Sequence, residues 1–95
     1  MPERFVVVRW PDARTQRCYS PSTVVEDYFR VGDTYTVADF VERSREALSA
    51  AGERVRAAYG FPCGKAARQI VEIERWAAAL GPAPAGRVTV ERIDT

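Results

Sequence analysis

Residues 4–10, Arg-Phe-Val-Val-Val-Arg-Trp, constrain the fold more than any other stretch of the sequence. β-Branched and aromatic residues favour a β-strand, whose side chains alternate between two faces. Three apolar side chains share one face: Val6, Val8 and Trp10. Phe5 and Val7 lie on the other face. Because both faces are apolar, the segment is predicted to be a central strand with a neighbour on each side.

Two further segments supply neighbours for this strand. Residues 11–14, Pro-Asp-Ala-Arg, are typical of a turn, because proline presets φ for its first corner. Residues 15–19 then return as a second, more polar strand, which completes a β-hairpin. Near the end of the chain, residues 87–93 alternate as a strand does, with Val88 and Val90 pointing inward. We expect this last strand to lie beside the first.

Three helices are predicted between the hairpin and the last strand. A short helix spans Val24 to Phe29 and is capped by Ser22, or by Ser20 with proline at the first helical position. The longest helix starts at Thr36, where Asp39 follows at capping-box spacing. Its apolar stripe covers about six turns: Val37, Phe40, Val41, Leu48, Ala51, Val55, Ala58 and Tyr59.

Gly60 and Pro62 end the long helix, because glycine suits the C′ position and proline prevents the helix from continuing. A third helix is predicted from Gly64 to Leu80. The element order is therefore β-β-α-α-α-β. This order predicts a single α+β domain over residues 1–95, in which helices cover one face of a three-stranded, mostly antiparallel sheet. Four aromatic residues are expected in its core: Trp10, Tyr19, Tyr28 and Phe29.

Composition excludes several kinds of active site. The chain has no histidine, so one chain acting alone cannot form a Ser-His-Asp triad, a Cys-His pair or a histidine zinc site. Its two cysteines cannot fill a tetrahedral zinc site without other ligands, and no metal or cofactor is predicted. The N-terminal apolar run is too short for a signal peptide or a membrane span, so we expect a cytoplasmic protein without a membrane contact.

Residues 59–70, Tyr-Gly-Phe-Pro-Cys-Gly-Lys-Ala-Ala-Arg-Gln-Ile, are the stretch most suggestive of a site. A phosphate-binding loop would need the spacing G-x-x-x-x-G-K-[ST] after a strand. Here Gly60 and Gly64 are one residue too close, Ala66 replaces the hydroxyl residue, and a helix precedes the loop. The phosphate-loop interpretation is therefore rejected.

Residues 57–75 also resemble a helix-turn-helix, in which Lys65, Arg68 and Gln69 would face DNA. The formal net charge of +1 argues against this interpretation, because nucleic-acid binding proteins carry a positive electrostatic footprint. An ordinary helical hairpin explains the same residues. Nucleic acid is therefore not expected as a partner, although DNA binding stays as the weakest alternative.

Cys63 is the candidate for thiol chemistry. It precedes the third helix, where unpaired N–H groups and the helix dipole lower the pKa of a thiol, and Lys65 would act in the same direction. Cys18, at the end of the second strand, is the candidate resolving thiol. The alternative is that Cys63 only fills a small pocket at a helix junction, which is the commoner role of a cytosolic cysteine.

Trp76 lies beside the main apolar stripe of the third helix. A half-exposed tryptophan at this position would suit a protein partner or a homodimer surface. Together with Lys65 and Arg68, it is a candidate contact for a partner or ligand.

Several short motifs occur together in a fixed order: RWPD, CYSPS, VVEDYF, the long GDTYTVADF helix segment, and YGF-x-C. In this combination the chain resembles small bacterial nitrogen-starvation-response proteins, found mainly in actinobacteria. The resemblance covers about residues 9–76. It implies genes clustered with a nitrilase-type carbon–nitrogen hydrolase and other biosynthetic enzymes. It implies no catalytic residues, substrate or cofactor that could be carried over to this chain.

Two hypotheses of different classes follow. The first is a non-enzymatic accessory or interaction protein linked to nitrogen starvation, with the enzymes of such a gene cluster or a second copy of the chain as partner. The second is a thiol-dependent enzyme or redox component that uses Cys63, with Cys18 as its partner thiol.

Overall fold

The computed structural model describes residues 2–82 and 84–95. Four strands form one antiparallel sheet: β1 (Arg4–Arg9), β2 (Thr15–Ser20), β3 (Thr34–Thr36) and β4 (Arg87–Asp94). Two α-helices pack on one face of the sheet: α1 (Val37–Tyr59) and α2 (Gly64–Ala78). The predicted α+β class, with helices on one face of an antiparallel sheet, is confirmed.

The strand order is β2-β1-β4-β3, so β1 has a neighbour on each side and β4 lies beside it. Both features follow the prediction made from the apolar faces of residues 4–10. In the β1–β2 hairpin, the Trp10 amide donates a hydrogen bond to the Arg14 carbonyl at 2.8 Å. The pairing of β1 with β4 shifts register between Val7 and Val8, as at a β-bulge.

Two details of the predicted element order are wrong. The sheet has four strands rather than three, because Thr34–Thr36 pairs with β4 as a strand too short to produce a visible alternation. The predicted first α-helix is a single 3-10 segment, Thr23–Asp27, capped by Ser22, whose Oγ accepts from the Val24 amide at 3.3 Å. The adjacent β-branched residues Val24 and Val25 disfavour a longer α-helix here.

The core lies between the sheet and the two helices. Val88 and Val90 are fully buried, as their alternation predicted, and the 1 % exposed Trp10 packs edge to face on Phe40 with 5.3 Å between ring centroids. The Trp10 indole N–H donates to Gln16 Oε1 at 2.9 Å inside this core. Burying a polar group without a partner costs free energy, and this hydrogen bond pairs the indole N–H with the Gln16 side chain.

No helix among the described residues packs on the other face of the sheet. Long side chains of the strands themselves shield its apolar residues from water. Val7 points to this face but is only 1 % exposed, since its register partners are Arg17 on β2 and Arg92 on β4. The aliphatic stems of arginines can cover apolar surface while their charged ends stay in water. The Arg17 guanidinium also lies 3.6 Å from the centroid of the Phe5 ring. The apolar side chains on the second face of β1 are thus shielded from water without a second layer of helices.

Helix α1 begins and ends at the predicted residues. Thr36 Oγ1 accepts from the Asp39 amide at 3.1 Å, and Gly60 ends the helix with a left-handed φ of 84°. Burial along α1 stops at Ala51, although the predicted apolar stripe continued to Tyr59. The physical reason is length, because 23 helical residues span about 34 Å and six-residue strands span about 20 Å. The last two turns of α1 therefore extend past the sheet.

Helix α2 returns alongside α1 and covers the edge of the sheet. Arg45 of α1 pairs with Glu74 near the end of α2, whereas Gly52 and Ala66 line one groove near its start, so the helices are antiparallel. Gln69 Oε1 accepts a hydrogen bond from the Tyr19 amide at 2.9 Å, which satisfies a donor on edge strand β2. Among the described residues, neither helix has the length and apolar character needed to span a membrane.

Candidate functional site

The turn between α1 and α2 is the most exposed apolar part of the described chain. Phe61 is 64 % exposed and Tyr59 is 54 % exposed. Both side chains are exposed because α1 extends past the sheet and the turn follows the C-terminal end of α1. We call the turn and the grooves that flank it, which together contain Tyr19, Tyr59, Phe61, Cys63, Lys65 and Arg68, the apical surface.

Cys63 lies at the centre of the apical surface and lines two grooves. The first, about 240 Å³, runs between the helices, where Glu53 and Arg56 of α1 face Cys63 and Ala66 of α2. The second, about 340 Å³, is bounded by Tyr59 and by residues from the other side of the domain: Glu3, Tyr19, Pro21 and Val55. Cys63 is half-buried between them, and it is the N-cap of α2 without a side-chain hydrogen bond to the helix.

Tyr19 separates the second groove from a third one and was wrongly expected in the core. Burial, the neighbouring Glu3 carboxylate and the nearby Cys63 raise the pKa of the Tyr19 hydroxyl to about 12. The ring packs edge to face on Phe5 at 5.7 Å, and the Lys65 ammonium lies 5.6 Å from its centroid. At neutral pH Tyr19 is therefore a neutral hydrogen-bond donor fixed by its neighbours. The only sequence signal for this position was its place near the end of an edge strand.

The third groove, about 290 Å³, contains two of the predicted contact residues. Lys65 and Arg68 line it together with Tyr19, Gln69 and Glu72. Neither cation forms an ion pair with a carboxylate of the described residues. Glu72 is paired with Arg75, so its charge is already compensated.

Trp76, the third predicted contact residue, lies nearer the end of α2. It is partly buried against Trp10, with 6.2 Å between the ring centroids, and the Arg14 guanidinium covers its ring at 4.5 Å. The structure thus places Trp76 at the rim of the core and away from the groove that contains Lys65 and Arg68.

The structure does not bring the two thiols into one cavity. Cys18 is 5 % exposed and lines an enclosed space in the core together with Phe29, Phe40 and Ile73. Burial raises the pKa of the Cys18 thiol to about 12. Cys18 and Cys63 are both free thiols.

The carboxylates that line the Cys63 grooves already have partners. Glu3 neighbours the Tyr19 hydroxyl, and Glu53 pairs with Arg56 at 3.7 Å. Within the described ranges, no group of three or more histidine, cysteine or acidic residues is placed to hold a metal ion. The hypothesis of a thiol-dependent enzyme therefore gains no general base from this geometry.

The DNA-binding hypothesis gains no support from the geometry of residues 57–75. In a helix-turn-helix the two helices cross at a steep angle, and the second enters the major groove. Here α1 and α2 run side by side along most of α2, from the Ala66 end to Glu74. The side of α2 that carries Gln69 is turned toward β2.

Comparison with known proteins identifies one relationship. A family model described as nitrogen starvation-induced protein NitG matches residues 5–93 of the chain. No curated protein and no solved structure matches it. The family match covers all the strands and both α-helices except for single residues at the outer ends of β1 and β4.

Proposed function

Because the chain belongs to the family of nitrogen starvation-induced proteins NitG, we propose that it is a non-enzymatic accessory protein that binds another protein through its apical surface. The partner that we propose is a nitrilase-type carbon–nitrogen hydrolase, the kind of enzyme that the sequence resemblance implies is encoded in the same gene cluster. The apical surface would contact this enzyme when nitrogen is limiting.

The observation that carries this proposal is the exposure of Phe61 and Tyr59 at the turn. Solvent-exposed large aromatic side chains reduce solubility. Aromatic residues are enriched among the residues that contribute most of the binding energy of protein interfaces. Val55 and Pro21 continue the apolar area into the second groove. An aromatic side chain at the tip of a helical hairpin can insert into a pocket of a partner with little loss of conformational freedom, because the two helices hold the turn in place.

The exposed aromatic residues of the turn do not weaken the fold, because the turn lies outside the core. The core ends at Ala51 on α1 and begins at Ala66 on α2, so the segment between them is buried little. Substitutions at Phe61 should change binding without changing the core. This separation makes the proposal testable with single variants.

Photocrosslinking from the turn tests the proposal. In nitrogen-limited cells, Phe61→p-benzoylphenylalanine should form a covalent adduct with the hydrolase on irradiation, since the photoreactive ring replaces an aromatic side chain at the contact. Val31→p-benzoylphenylalanine is the matched control, because Val31 is 59 % exposed and lies outside the apical surface. Mass spectrometry of the adducts gives the partner.

An adduct with the hydrolase from position 61 and none from position 31 would support the proposal. Equal adducts from both positions, no adduct, or an adduct only with a second copy of the chain would contradict it.

A further inference from the structure

We infer that the third groove of the apical surface binds an acidic segment of the partner protein, with carboxylate side chains contacting Lys65 and Arg68. This inference rests on the proposed function and specifies the chemistry of the partner. The groove would contribute charged contacts to the complex, and the neighbouring turn would contribute apolar contacts.

The ion pairs of the described chain leave some basic side chains without a carboxylate partner. Eight of its arginines form ion pairs with carboxylates, which is ordinary for exposed arginine side chains. Lys65 and Arg68 have no such partner among the described residues, although they are neighbours on one helix and are exposed. Arg17, on the strand beside the groove, contacts the Phe5 ring instead of a carboxylate. Lys65 and Arg68 thus place in one groove two positive charges without an ion pair to any described residue.

The groove that contains Lys65 and Arg68 offers more hydrogen-bond donors than acceptors. Gln69 uses its Oε1 to accept from the Tyr19 amide, so its Nε2 group is the part left to donate. The carboxylate of Glu72 is engaged by Arg75. A carboxylate suits these donors, because its negative charge strengthens the hydrogen bonds that it accepts from Lys65, Arg68 and the Gln69 amide.

The apolar surface beside the groove favours a protein segment over a nucleic acid as the ligand. Tyr19 lines both this groove and the adjoining groove that contains Tyr59 and Val55, so cationic and apolar contacts form one continuous surface. A protein segment can present carboxylate and apolar side chains together. A nucleic-acid backbone would need more extended positive charge than a chain of net charge +1 provides.

A titration followed by NMR on the ¹⁵N-labelled full chain tests this inference. The probe is a 12-residue peptide that alternates glutamate with leucine and phenylalanine, and the matched peptide carries lysine in place of glutamate. The acidic peptide should shift the amide signals of Tyr19, Lys65, Arg68 and Gln69 in a saturable way. Raising NaCl from 50 to 300 mM should weaken binding several-fold, because salt screens exposed charges.

Lys65→Glu and Arg68→Glu should each weaken binding of the acidic peptide at least about five-fold. Arg30→Glu is the control, because it makes the same change of charge at a distant exposed site. Arg30 lies in the loop that leads to β3, at the opposite edge of the sheet from β2. Unmoved signals with the acidic peptide, equal shifts with the lysine peptide, or tighter binding of poly-uridine RNA at the same residues would overturn the inference. If the crosslink from position 61 to the hydrolase still forms in that case, only this inference fails and the proposed function stands.

Discussion

Trp10→Ala is expected to lower the free energy of unfolding by about 3–5 kcal/mol, the largest loss for any single substitution proposed for this chain. Trp10 is 1 % exposed and packs on Phe40 and Trp76. Its removal leaves a cavity between the sheet and both helices, and it also leaves the buried Gln16 amide without its hydrogen-bond partner. Urea denaturation followed by circular dichroism measures the change.

Such a loss is a large fraction of the roughly 5–15 kcal/mol that stabilises a typical domain, so the variant should unfold at a markedly lower urea concentration. Val31→Ala is the control, because the side chain is exposed and its truncation should change stability by less than about 0.5 kcal/mol. A loss below 1 kcal/mol for Trp10→Ala would show that Trp10 is not central to the core.

Cys18 should be alkylated far more slowly than Cys63 at pH 8, because Cys18 is buried and Cys63 is only half-buried. Burial raises the pKa of Cys18 from an ordinary value of 9.0 to about 12, and this alone lowers its thiolate fraction about 1,000-fold. Cys63 is half-buried in open grooves and is accessible to a small reagent. With iodoacetamide, one thiol should react in the native chain, and the second should react only in denaturant. Loss of the fast phase in Cys63→Ser would identify the reactive thiol, whereas equal rates for the two would contradict the assigned burial.

The same burial predicts an alkaline limit to stability. The folded pKa of Cys18 is higher than its unfolded value, so the stabilising contribution is complete below pH 9 and is lost as the pH rises toward 12. The free energy of unfolding should therefore fall over this range. Cys18→Ala should be less stable at pH 7 but should show a shallower decline above pH 9. An equal decline in this variant would mean that Cys18 does not contribute to it.

Much of the fold could be predicted because the sequence patterns were long or chemically specific. The apolar residues on both faces of β1 predicted its central place, and the Thr36 and Gly60 signals located the ends of α1. Strand β3 was missed because three residues carry too little periodicity to be recognised. Burial in the last turns of α1 was overestimated because periodicity gives the apolar face of a helix but not the length of the sheet beneath it.

The site was predicted less completely than the fold. Local sequence placed Cys63 at the start of α2 and singled out Lys65 and Arg68, which do share a groove. The position of Tyr19 between two grooves depends on how α2 lies against the edge of β2, a long-range contact that no local pattern encodes. The exposure of Phe61 has the same kind of origin, because it follows from the difference in length between α1 and the sheet.

The most direct test of the account is the affinity of the purified hydrolase for this chain and for its Phe61→Ser variant, measured by isothermal titration calorimetry. Truncation of an aromatic residue at the centre of an interface costs 2 kcal/mol or more, so Phe61→Ser should bind about 30-fold more weakly. Val31→Ser should bind like the unchanged chain. No binding by the unchanged chain, or equal binding by Phe61→Ser, would contradict the proposal that the apical surface is the docking site.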